Sequence, residues 1–145
     1  MKKRILSTLL GICMILSLVQ MPALAATDSD TTRITNNGNQ LRWSNTSTIN
    51  LSLSYSRGTI SWSGLVQGNS NVTSIKVTYT LYKQNTNGAY SKVDSWSDST
   101  TSSTMLYSSG TASGTAGTYK LVISGTVTAP GGSESISTDI VKSLS

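Results

Sequence analysis

The chain contains no histidine and no phenylalanine, one cysteine and two prolines in 145 residues, and only 12% of its residues are charged. Without histidine, Ser-His-Asp and Cys-His nucleophilic catalysis and ordinary His-ligated zinc are excluded. The lone Cys13 sits inside an N-terminal apolar run and is expected to leave with it. The remaining chain then has neither a thiol nucleophile nor a disulfide, although it matures where disulfides form. Ser113, in Gly110-Thr111-Ala112-Ser113-Gly114, has no nucleophile-elbow sequence and no base. The spacing Gly110…Gly114…Gly117 lacks the Lys-Ser/Thr and following helix of a phosphate loop and is read as loop flexibility. Acidic residues are sparse. Asp94 and Asp98 lie in Ser-rich, exposed context and are read as solvated surface, not as a glycosidase pair. Asp28-Ser29-Asp30 lacks a third spaced acidic ligand for calcium, and no motif places a Lys–Asn isopeptide bond. No cofactor and no metal are expected, and the chain is read as not an enzyme.

The N-terminus has the layout of a secretory signal peptide: basic Lys2, Lys3 and Arg4, an apolar run from Ile5 to Val19, then Pro22 and Ala23-Leu24-Ala25. Cleavage is expected between Ala25 and Ala26. The apolar run is shorter than the roughly 20 residues a membrane-spanning helix needs, so no span is expected after cleavage. Ile12 stands where a lipobox has a small residue, which argues against lipidation at Cys13. The formal charge of +5 falls with the signal, leaving 8 basic residues against 6 acidic ones. Those basic residues are spread singly from Arg33 to Lys142, so no nucleic-acid or membrane reading rests on net charge. The segment 26–40 is polar and is read as a flexible leader before a domain at 41–145. The chain stops at Ser145 with no hydrophobic tail or sortase-type motif. The expectation is a secreted protein, free or loosely wall-associated.

What the domain does have is period two. Ile49, Leu51, Leu53 and Tyr55 alternate with Asn50, Ser52 and Ser54; Ile75, Val77, Tyr79 and Leu81 alternate with Lys76, Thr78, Thr80 and Tyr82. Such alternation sends one row of side chains into a core and the other into water. Asn85-Thr86-Asn87-Gly88 marks a hairpin, since Asn and Gly accept positive φ. On its return strand the spacing Tyr90, Val93, Trp96 breaks strict alternation and predicts a bulge. Ser108 to Gly117 is read as a mobile loop of small residues; Tyr119, Leu121, Ile123 and Val127 form the penultimate strand, and Ile136 and Ile140 lie on the last. Thr, Val, Ile, Tyr and Trp dominate and no stretch has helical periodicity. The fold expected is an all-β antiparallel sandwich of seven or eight strands, with a β-barrel as the alternative.

Gly117-Thr118-Tyr119-Lys120-Leu121 resembles the start of strand F in immunoglobulin and fibronectin type III sandwiches, where a tyrosine forms a corner and the residue two positions later points into the core. Leu121 stands where antibody-like domains carry a cysteine, and its strand-B partner is expected near Ile60 or Trp62. The resemblance therefore implies a looser, immunoglobulin-like sandwich closed by apolar packing. Trp62-Ser63-Gly64, the strand from Ile75 to Lys83, Tyr90…Trp96 and Gly117-Thr118-Tyr119, behind a signal peptide, also resemble an uncharacterised family of small secreted Gram-positive bacterial proteins. That similarity implies no activity.

Aromatic side chains are the remaining candidates for function, because Trp and Tyr on a sheet face stack against sugar rings. Trp43, Tyr82 and Tyr107 are the candidate ligand-binding residues, with Tyr90 a further member of an aromatic platform. Tyr82 is out of phase with the Tyr79/Leu81 face and so is the best surface candidate; Trp62 and Trp96 are read as core plugs. The function expected is a non-catalytic exported interaction domain that binds a protein or a cell-envelope component. The alternative is a carbohydrate-binding module using exposed aromatics.

Overall fold

The computed structural model describes the backbone of residues 30–35 and the whole of residues 43–145. The signal peptide, its cleavage site and the Asp28-Ser29 pair lie outside the described residues. Eight strands run in chain order: β1 Asp30–Thr35, β2 Thr46–Ser56, β3 Thr59–Gly68, β4 Ser74–Gln84, β5 Tyr90–Thr100, β6 Met105–Ser113, β7 Gly117–Ala129 and β8 Gly132–Leu144. They form two four-stranded antiparallel sheets, β1-β2-β3-β6 and β5-β4-β7-β8. Lettering β2 to β8 as A, B, C, C′, E, F and G gives a sheet A-B-E with β1 added beside A, and a sheet C′-C-F-G, the strand order of a fibronectin type III-like sandwich. No described helix is long and apolar enough to cross a membrane.

The alternating residues build the core as their period demands. Ile49, Leu51, Leu53, Ile60, Trp62 and Val66 of the first sheet face Ile75, Val77, Tyr79, Leu81, Tyr119, Leu121, Ile123 and Val127 of the second, all buried. Trp62 stacks obliquely on Tyr79 and Trp96, with ring centroids 4.7 and 4.8 Å away. Two aromatic plugs thus fill the volume that phenylalanine or a disulfide would otherwise occupy. The Tyr119 hydroxyl donates to the Thr115 carbonyl at 2.8 Å, completing the tyrosine corner that the Gly117–Leu121 motif implied.

Three stretches differ from the sequence reading. Asp30–Thr35, inside the segment read as leader, pairs along β2 from Leu53 to Thr48; an edge strand satisfies its backbone on a neighbour and needs no apolar run to announce it. Residues Ser108–Ser113, read as mobile loop, belong to β6 and pair with β3 from Gly64 to Thr59. Their small side chains serve packing: a Cβ on Gly110 would come within 2.8 Å of the Trp62 ring. Ser97–Thr100, whose Ser/Thr/Asp composition reads as the start of a loop leading to Met105, likewise continue β5.

Candidate ligand-binding surface

Of the three aromatic candidates, Trp43 is only 9% exposed and belongs to the core, so it is not available for stacking. It precedes β2, where the chain enters between the two sheets, and the short polar run after it does not reveal that burial. Tyr107 is 62% exposed on the outer face of the first sheet. It stands beside a shallow depression lined by Ser52, Ser54, Ser61, Ser63, Ser109 and Thr111. Tyr82 is half-buried on the outer face of the second sheet. Tyr82 and Tyr107 therefore sit on opposite sides of the sandwich, and no platform unites the three residues.

The structure gives Tyr82 other neighbours. Opposite Leu81 stands Asp94, but opposite Tyr82 stands Lys92, with Val93 left unpaired. This is the bulge predicted from the Tyr90–Val93–Trp96 spacing. One extra residue reverses which side chains face out beyond it, so Lys92 and Tyr90 turn onto the outer face beside Tyr82. Lys120 of β7 pairs with Tyr82 from the other side. Its ammonium lies 4.4 Å from the Tyr90 ring centroid and 5.4 Å from that of Tyr82, within cation–π reach of both. Across the sheet the row reads Lys92, Tyr82, Lys120, Val141. The adjacent row, Ser91, Lys83, Tyr119, Lys142, carries two more lysines, but in the opposite phase, on the side of the sheet that faces the core. Lys83 lies over the Tyr119 ring and donates to the Thr115 hydroxyl; Lys142 donates to the Leu53 carbonyl at 3.2 Å. Arg57, in the β2–β3 turn, belongs to the same end, because Gly58 accepts from the Gly114 amide just before β7.

Basic residues spread singly along the sequence are thus gathered by antiparallel topology. Positions near the end of one strand and the start of the next fall side by side, a signal that is readable only once strand order is known. Tyr90 stands with Tyr82 as the sequence reading grouped them, whereas Lys92 and Lys120 are the site residues that single-residue reading did not assemble. No carboxylate occupies the row of Lys92, Tyr82, Lys120 and Val141; Asp139, two residues before Val141 on the same face of β8, stands opposite Val122.

The acidic side chains serve differently. Asp94 and Asp98 are exposed, and Asp98 accepts from the Ser108 hydroxyl at 2.8 Å. Glu134, at the start of β8, is the most heavily engaged carboxylate. It accepts from the Ser44 amide and hydroxyl, the Asn45 amide, and the Thr46 amide and hydroxyl. Asn45 in turn donates to the Gly132 carbonyl at 3.1 Å. Burial pushes the Glu134 carboxyl up, but hydrogen bonds from Thr46, Ser44 and Asn45 outweigh it and hold the group below its ordinary value of 4.5. The result is a latch between the segment entering β2 and the β7–β8 turn, across the two sheets. Among the described residues no three His, Cys, Asp or Glu side chains group as a metal site would require. The sequence matches no protein-family model, and no curated protein matches it.

Proposed function

We propose that this chain is an exported, non-catalytic binding domain that engages its ligand through the outer face of the second sheet, at the end carrying Tyr82, Tyr90, Lys92 and Lys120. The observation that supports this reading is the bulge at Val93, which aims two residues of β5 at the same patch as Tyr82 and Lys120. Bulges commonly re-aim side chains beside functional sites. The rigid sandwich supplies a fixed scaffold for them, and the composition, lacking histidine and with its one cysteine in the N-terminal run, offers no familiar nucleophile. The N-terminal layout supports secretion, free or loosely wall-held.

A second reading has its own observation. Tyr107 rises from rows of serine and threonine hydroxyls on the opposite face, a surface suited to a neutral glycan. Titration of the secreted chain with cell-envelope fractions, read by calorimetry, separates the two. Saturable heat that Tyr82→Ala abolishes and Tyr107→Ala leaves intact supports the first reading; the reverse supports the second. Heat unaffected by either substitution, or no saturable heat from any fraction, refutes both.

A further inference from the structure

We infer that the ligand class of the Tyr82 end is an anionic polysaccharide, an inference that rests on the binding-domain reading above. Lys92 and Lys120 share one outer-face row with Tyr82, a row that contains no carboxylate, and Arg57 stands at the same end. Lys92 and Lys120 flank Tyr82 on strands two apart, so their Cα atoms are about 10 Å from each other across a rigid ladder. Lys120 is held in place by two rings rather than by a carboxylate. Its charge is thus positioned without being neutralised, and it remains open to an anion.

The rest of the face specifies a hydroxylated anion. Beyond the lysine row lie cross-strand hydroxyl pairs, Thr80 with Ser95 at 3.3 Å and Thr78 with Ser97 at 2.9 Å, and on the other side Thr118 with Ser143 at 3.1 Å. Each hydroxyl keeps unused hydrogen-bonding capacity toward a sugar. A membrane surface fits less well. Insertion needs large apolar side chains, and the exposed ones near this end are only Val93 and Val141. A nucleic acid also fits less well, because the Lys120 ammonium lies over the ring faces on which bases would stack.

The test is the secreted chain titrated with dextran sulfate, neutral dextran of equal length, anionic phospholipid vesicles and single-stranded DNA. The expected result is binding to dextran sulfate and none to neutral dextran. Affinity falls about tenfold between 50 and 200 mM salt, as expected when about two ammonium groups displace condensed counterions. Lys92→Gln and Lys120→Gln each weaken binding several-fold with an unchanged melting temperature. Lys76→Gln, on the same face about 20 Å along β4, leaves it unchanged. Tighter binding to vesicles or DNA, or equal loss in all three lysine variants, overturns the polysaccharide assignment. Binding to neutral dextran that Tyr82→Ala abolishes and salt does not weaken also overturns it, while leaving the binding-domain reading intact.

Discussion

Replacing Glu134 tests how the two sheets are fastened at the end opposite the lysines. Its carboxylate accepts from three consecutive backbone amides and two hydroxyls. A hydrogen bond to a charged group contributes about 1.5–3 kcal/mol when well shielded, but this group is partly exposed, so water replaces much of what is lost and screening reduces the rest. A net loss of about 2 kcal/mol for Glu134→Ala follows, rather than the sum over donors. In a domain of this size that lowers the melting temperature by about 8 °C. Glu134→Gln keeps one acceptor but turns an NH2 toward backbone N–H groups, so it recovers little. The pH dependence has a definite sign. A carboxyl whose folded pKa is lowered contributes stability that is present above its unfolded value, near 4.5, and is lost as pH falls through the folded value. The gap between wild type and Glu134→Gln should therefore be full at pH 7 and narrow progressively below pH 4.5. The assay is a thermal melt followed by circular dichroism across that range. Melting temperatures within about 1 °C at pH 7, or a gap that fails to narrow in acid, would refute the latch.

Core packing gives further expectations. A Cβ on Gly64 would lie 2.2 Å from the Tyr79 ring, whereas one on Gly131 meets nothing within 4 Å; Gly64→Ala should cost about 2–3 kcal/mol in urea unfolding and Gly131→Ala less than about 0.5. The two buried tyrosines should respond in opposite ways to loss of their hydroxyls. Tyr119→Phe removes the bond to the Thr115 carbonyl and should cost about 1 kcal/mol, while the Tyr79 hydroxyl has no hydrogen-bond partner, so Tyr79→Phe should be neutral or stabilising. Burial pushes the Tyr79 phenol above its ordinary value of 10, Ser108 opposing and Asp98 adding to the shift. Stability should therefore hold below pH 10 and decline above it as the unfolded tyrosine ionises, and Tyr79→Phe should blunt that decline in melts from pH 9 to 11.

Much of this fold was legible because the period of two is strong where strands are buried on one face. Ile49 to Tyr55 and Ile75 to Leu81 alternate as the observed burial does, and Tyr82 lies on the outer face as its phase required. The bulge at Val93 was legible from broken spacing. What escaped notice has physical reasons. Glycine, serine and alanine from Ser108 to Ser113 resemble a loop in composition, yet Gly110 is small because Trp62 needs its space. Edge strand β1 is fixed by backbone pairing rather than by an apolar pattern. Trp43, outside any alternating run, gave no sign of its burial. The lysine cluster depends on strand order, which no local pattern encodes.

Backbone amide shifts of the uniformly 15N-labelled protein, recorded while dextran sulfate is titrated in, test the central claim most directly. The account predicts saturable shifts concentrated at Tyr82, Lys83, Tyr90, Lys92 and Lys120, with the Ser61–Ser63 and Tyr107–Thr111 amides of the opposite face unmoved. Shifts centred on Tyr107, or spread evenly over every exposed amide, would contradict it.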